Sequence, residues 1–267
     1  MQTKAPQALT CTLVEHLYLA ALLGGRTLVG VPDPFTGWLA REVEEALRQA
    51  RTSLESRSII RQDPDGLLSV DPSLEQMVSV AVAPALTVAL THRNGQTSAQ
   101  HLFYMADGQA VEQTYQPDTG TVSLSRLASP AQVVERIAEL TGLERQGPAV
   151  LPGGLLPEGD WTRTVEAVRT QGTNQAGKVL AASGIPLESA AALCAALAAP
   201  DIMGQALVVA ADPAEWSVSG VGYLAGDQGL WMLRQVTEKG QPWAEITPAP
   251  GEAVLAEIGR ILERRPH

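Results

Sequence analysis

Apolar positions along the first segment recur at helical spacing. From Thr10 to Leu23, Leu13, Leu17, Ala20 and Ala21 share a face, and Gly24-Gly25 ends the run by freeing the backbone. A second helix is expected from about Thr36 to Leu54, with Leu39, Val43, Ala46, Leu47, Ala50 and Leu54 on one stripe. The runs Ser58-Ile59-Ile60-Arg61 and Leu67-Leu68-Ser69-Val70 then flank Asp63-Pro64-Asp65-Gly66, and an Asp-Gly between short apolar runs signals a hairpin. Helices followed by a small hairpin make this start winged-helix-like. After Asp71-Pro72 a further helix carries Leu74, Met77, Val78, Ala81 and Val82 on its apolar face.

Beyond that helix the period changes. Strands are expected at Leu86 to Thr91, His101 to Met105, Ala110 to Tyr115 and Val122 to Leu127, with turns or loops at Asn94-Gly95 and Asp107-Gly108. Ser129-Pro130-Ala131-Gln132 supplies a helix cap, a proline at the first helical position and a glutamine three after the cap. Val133, Val134, Ile137 and Leu140 carry that helix to Gly142. From Arg145 to Asp160 three prolines and four glycines read as a linker.

The second half retraces this plan. Pro186-Leu187-Glu188-Ser189 opens a helix bearing Leu193 and Leu197, and strands follow at Ala206 to Ala210, Trp216 to Leu224, Leu230 to Val236 and Trp243 to Thr247. A closing helix bears Val254, Leu255, Ile258, Ile261 and Leu262. The offset between corresponding helices is 113 at the first (187 − 74) and 121 at the last (254 − 133), so loop growth of about eight residues separates the copies. The fold expected is α+β: a pseudo-twofold duplicated unit of helix, four-stranded antiparallel meander and helix, the two meanders fusing into one sheet with flanking helices. Residues 1–145 form the first repeat with its winged-helix-like start, 146–160 the linker and 161–267 the second repeat. The second repeat begins with a more polar helical segment, Trp161 to Ala182.

Composition narrows the function. Hydrophobic residues make up 45% and charged residues 18%, with only two Phe and four Tyr, so the core is aliphatic. A formal charge of −10 disfavours non-specific binding to nucleic acid. Cys11 and Cys194, far apart and each in an apolar helical context, read as buried reduced thiols. Leu9 to Leu23 is interrupted by Glu15 and His16 and has no cleavage pattern after it, and no apolar run is long enough to insert in a bilayer. A cytoplasmic protein is expected.

The chain offers no residue set for catalysis, cofactor binding or a metal. Trp216-Ser217-Val218-Ser219-Gly220 lacks the first glycine of a nucleophile elbow and sits in an expected strand. Gly220-x-Gly222-x-x-Ala225 loosely matches a dinucleotide fingerprint, but a hairpin follows where a helix is needed, so these read as hairpin glycines. Phosphate-loop and paired-cysteine patterns are missing. His92 and His101 could approach across a hairpin, yet no third metal ligand is near, and they read as solvent-facing imidazoles at strand ends. Asp63, Asp65 and Asp71 read as turn residues, and Glu42, Glu44 and Glu45 as a solvated helix face. Trp231 and Trp243, on adjacent strands, read as a cross-strand core contact.

Taken together, Arg57-Ser58-Ile59-Ile60 to Asp65-Gly66, Val70-Asp71-Pro72-Ser73-Leu74, the repeated meander, and Gly226-Asp227-Gln228-Gly229-Leu230-Trp231 through Ile246-Thr247-Pro248-Ala249 resemble the EspG family. Those are cytosolic chaperones of ESX (type VII) secretion. The resemblance implies a non-enzymatic protein that binds the tip of a helical PE/PPE heterodimer through its sheet and C-terminal helical region. The loop from His92 to Gln100 and the helical segment from Trp161 to Ala182 are the candidate contacts. The alternative is a winged-helix transcriptional regulator with a sensor sheet, for which Arg41, Arg48, Arg51 and Arg57 would face DNA against the opposing Glu42, Glu44, Glu45 and Glu55.

Overall fold

Thr12 marks a boundary inside the first apolar run. Strand β1 (Ala8–Thr12) buries Leu9 and Cys11 and exposes Ala8, Thr10 and Thr12, the alternation of a half-covered strand. Helix α1 (Leu13–Leu22) then starts on a capping box. The Thr12 hydroxyl accepts from the Glu15 N–H at 3.2 Å, and the Glu15 carboxylate accepts from the Thr12 N–H at 2.7 Å. The single helix expected over 10–23 is thus a strand followed by a helix. The computed structural model describes residues 8–25, 31–211 and 216–263; His267 and the side chain of Trp216 lie outside what is described.

Helix α2 (Ala40–Ser56), the hairpin β2 (Ile60–Gln62) and β3 (Leu68–Val70), and helix α3 (Pro72–Val82) follow. The first meander is β4 (Leu86–Asn94), β5 (Thr97–Ala106), β6 (Gln109–Gln116) and β7 (Thr121–Leu127), closed by α4 (Ala131–Thr141). Strand β8 (Gly154–Pro157) and helices α5 (Glu158–Gln171), α6 (Thr173–Ala182) and α7 (Leu187–Ala198) precede the second meander. That meander is β9 (Ile202–Ala211), β10 (Trp216–Gly226), β11 (Gly229–Glu238) and β12 (Gln241–Pro248), and α8 (Gly251–Glu263) ends it.

Ten strands make one sheet in the order β1-β7-β6-β5-β4-β9-β10-β11-β12-β8, and β2 and β3 pair separately. The α+β class and the large antiparallel sheet agree with the sequence pattern. The linker reading does not hold for the whole of 146–160, because Gly154–Pro157 pairs with β12, Leu156 opposite Ala244 and Leu155 opposite Glu245. Proline at a strand end and a partner on one side only are what an edge strand tolerates. Trp231 stands opposite Pro248 and Trp243 opposite Val236, so the two indoles point to opposite faces and do not make the expected cross-strand contact.

Two compact units gather these elements: the described residues of 1–89, 101–133 and 209–216, and those of 90–100, 134–208 and 217–267. In the first, Leu19 of α1 and Val78 of α3 pack with Tyr104, Val122 and Leu124 of the sheet, joined by Leu54, Ile60 and Val70. His16 enters this core with no exposure. Burial lowers its imidazole pKa to about 4, opposed in part by the Gln113 amide. The sign follows directly. The unfolded chain takes up this proton near pH 6.5 and the folded chain only near pH 4, so stability is full above 6.5 and falls as pH drops through that window. The loss is expected to reach about 3 kcal/mol, and His16→Gln should flatten the slope in urea titrations run from pH 7 to pH 4.

In the second unit, Leu180, Ile185, Ala190, Leu193 and Cys194 of the α5–α7 layer meet Leu224, Trp231 and Ile246. Helix α8 buries Val254, Leu255, Ile258 and Ile261. It starts at a contact only glycine allows, since a Cβ on Gly251 would lie 1.7 Å from the Leu143 carbonyl oxygen. Among the described residues no helix is long and apolar enough to cross a membrane.

The thiols are buried as expected. Burial pushes Cys11 up to about 12, with Glu15 adding to it, and Cys194 up to about 11. A disulfide reagent at pH 8 should therefore modify neither thiol in the native protein within the time that it titrates two per chain in guanidinium.

Candidate functional site

Strand glycines shape the feature best suited to recognition. In β10, Gly220 and Gly222 share a face with Leu224, and neither has the positive φ that would call for glycine on backbone grounds. That face therefore carries two bare positions in sequence. Next to them lie Met203 and Leu207 of β9 and Leu233 of β11, all half-buried. Helix α5 stands beside this patch and contributes Glu158, Trp161 and Val165, while α7 contributes Leu197. The result is a cleft of about 510 Å³ with an apolar floor.

Its rim combines apolar and polar groups. Val165 is 43% exposed and Val218 63%, so two β-branched side chains stand in solvent at the edge of a groove whose floor is also apolar. Gln235 donates to the Glu158 carboxylate at 3.0 Å, tying the start of α5 to β11. Thr91, Arg93 and Ser98 close the far side. Such a surface suits burial of apolar side chains from another molecule, with polar groups at the border to set orientation.

Both regions nominated from the sequence reach this cleft. Thr91, His92, Arg93 and Ser98 come from or beside the stretch His92 to Gln100, and Trp161 and Val165 from the segment Trp161 to Ala182. The first is not a loop but the tip of the β4–β5 hairpin, with only Gly95 and Gln96 outside the strands. The second is two helices broken at Gly172, whose φ of 89° no helix accommodates. Sequence reasoning missed Met203, Leu207, Gly220, Gly222 and Leu233. The glycines were read as hairpin residues, yet they lie inside β10, and the turn sits at Gly226 to Gly229. An isolated glycine inside a strand signals a close approach by something else, which was the available clue.

His92 and His101 are not solvent-facing. His92 is 8% exposed, placed by the β4 alternation on the same face as Val88 and Leu90. The His101 Nδ1 lies 2.7 Å from a Glu112 carboxylate oxygen, and its ring stacks on Phe103 with centroids 6.4 Å apart. No group of three potential ligands is positioned to hold a metal ion among the described residues. Asp63 and Asp65 form the β2–β3 turn, in which the Asp63 N–H donates to the Leu67 carbonyl, and Arg61 reaches Asp71 at 3.4 Å. Glu42 accepts from the Leu39 N–H to start α2, and Glu45 pairs with Arg48 at 2.5 Å. Arg51 pairs with Glu55 at 2.8 Å, and Arg57 with the buried Glu15 at 3.3 Å. Three of the four arginines that a DNA-reading helix would use thus face carboxylates of their own chain.

A sequence profile of the EspG family matches residues 12–260. No curated protein sequence matches the chain significantly. Among solved structures, the type VII secretion system chaperone EspG5 of Mycobacterium tuberculosis, in complex with a PE25-PPE41 dimer, is similar at a TM-score of 0.72 and 16% sequence identity, with 98% of this chain and 98% of that chain covered.

Proposed function

Because the chain belongs to the EspG family, we propose that it is a non-enzymatic secretion chaperone that holds a helical protein partner of PE/PPE type, on the cytoplasmic side, by covering the partner's apolar surface with its own cleft. The observation that carries this reading is the open apolar floor made by Met203, Leu207 and Leu233 around two side-chain-free positions, with Val165 and Val218 left in water at its edge. An apolar groove is a poor surface for a protein that works alone and a good one for receiving an amphipathic helix. The similar EspG5 structure contains a PE25-PPE41 dimer, which indicates the kind of partner.

Holding rather than converting fits the chemistry of the cleft. Its floor presents thioether and aliphatic groups, and its carboxylate, Glu158, is engaged with Gln235 at the border. Binding one conformation of a partner stabilises it by mass action and withdraws its apolar surface from self-association. Co-expression with PE–PPE pairs from the same organism tests the proposal. A stable complex with one copy of each chain on size exclusion is expected with at least one pair, and failure of every pair to co-purify contradicts it.

A further inference from the structure

Glycine inside a strand weakens it, so a strand glycine that the fold does not require calls for a reason outside the fold. Gly204 is required, since a Cβ there would fall 2.3 Å from the Tyr223 hydroxyl and 2.5 Å from the Thr91 carbonyl oxygen. Gly220 is nearly so, with Leu207 Cδ2 at 2.6 Å and the Ala206 carbonyl oxygen at 3.1 Å from its added Cβ. Gly222 differs. Its φ is not positive, and its added Cβ would make ordinary contacts, 3.4 Å to Leu233 Cβ and 3.6 Å to the Gly204 carbonyl oxygen. The fold has room for a Cβ at 222, and that atom would stand in the lining of the cleft.

We propose that Gly222 is a specificity-determining residue: the missing side chain leaves a slot that admits a bulky apolar anchor, of leucine or phenylalanine size, from the helical partner. The inference rests on the chaperone reading and adds to it which position sets the size of the anchor. The dimensions agree. A dry cavity of about 150 Å³ accepts one benzene ring, so a cleft of about 510 Å³ takes roughly three such groups. Three is the number of apolar anchors that successive turns of one helix present at i, i+3 or i+4, and i+7. Leu233 and the Gly204 backbone border the slot, and Met203, Leu207, Trp161 and Val165 line the same cleft. Filling it with the isopropyl group of a valine occupies part of the groove while the rim is unchanged.

The test compares wild type, Gly222→Ala and Gly222→Val, with Ala8→Val on the exposed face of β1 as a control for added bulk on a strand. Two readouts are taken on the full chain: affinity for a PE–PPE pair that wild type binds, and enhancement of 8-anilinonaphthalene-1-sulfonate fluorescence, which reports the open groove without any partner. Melting temperatures of all variants are compared first. The expected result is a graded loss on both readouts, severalfold for Gly222→Ala and at least tenfold for Gly222→Val, with Ala8→Val equal to wild type. Should Gly222→Val fail to fold, Gly222→Ala alone decides by the same criterion. Unchanged partner affinity in the variants, whether or not the dye signal falls, overturns the role of Gly222 and leaves the chaperone reading standing. A wild-type chain that takes up the dye in a Gly222-dependent way but binds no PE–PPE pair overturns the chaperone reading, and the role of Gly222 in partner choice with it.

Discussion

Trp231→Ala is expected to destabilise the chain by about 3–5 kcal/mol, the range for removing a large aromatic from a packed core. The indole has no exposure and sits on β11 with Leu224 and Ile246, beneath Leu193 and Cys194 of α7. These neighbours belong to two layers that meet only through such side chains, so the site cannot collapse to fill the void without moving a helix off the sheet. Because Trp231 faces away from Trp243, the loss should come from the helix-covered side alone. Urea denaturation followed by far-ultraviolet circular dichroism measures it as a lower midpoint with little change in slope. Trp243→Ala, at a half-buried position on the other face, should cost clearly less. Equal losses would contradict the opposite-face assignment of the two indoles.

A second large effect is expected in binding and not in stability. Val165→Glu combined with Val218→Glu places two carboxylates at the border of the cleft, on side chains already 43% and 63% exposed. Surface substitutions of this kind usually change folding stability by no more than about 0.5 kcal/mol each. In the complex, however, each carboxylate that the helix covers would lose water against apolar side chains with no partner to replace it. Affinity for a PE–PPE pair should fall roughly a hundredfold, equivalent to about 2.8 kcal/mol. Isothermal titration calorimetry reads the loss, and a matched pair at the exposed Leu67 and Leu39, replaced by Glu, should leave affinity within a factor of about three. A strong loss from the second pair and none from the first would move the interface to the α2 and hairpin region.

Much of the fold was legible because local period and burial agree. The strand from Thr121 to Leu127 alternates, the turns carry Asp107-Gly108 and Asn94-Gly95, and the helix at Ala131–Thr141 shows its cap in sequence. Where local signals overlap, the reading failed. β1 merges with α1 because Leu9, Cys11 and Leu13 continue the apolar run, and only the capping pair Thr12 and Glu15 separates strand from helix. β8 was hidden by the prolines and glycines around it, since a four-residue strand with one partner needs little strand propensity of its own. His92 was recoverable, because it lies two residues past buried Leu90 on a strand.

The cleft was legible only in part. Arg93 and Trp161 fall in the two segments that the resemblance had led to as candidate contacts. Its floor is different in kind. Met203, Leu207, Gly222 and Leu233 come from three neighbouring strands, and each looks like an ordinary sheet residue until α5 is seen to leave that patch uncovered. A sequence pattern tells which face of a strand is apolar, whereas which part of that face stays open depends on where the helices stop.

Hydroxyl-radical footprinting of the chain alone and in complex with a PE–PPE heterodimer tests directly whether that opening is where the partner sits. Trp161 and Met203, both half-buried at the cleft, should lose reactivity on complex formation, while Trp38, 46% exposed at the start of α2, should keep it. Protection of Trp38 with unchanged Trp161 and Met203 would contradict the cleft as the docking surface.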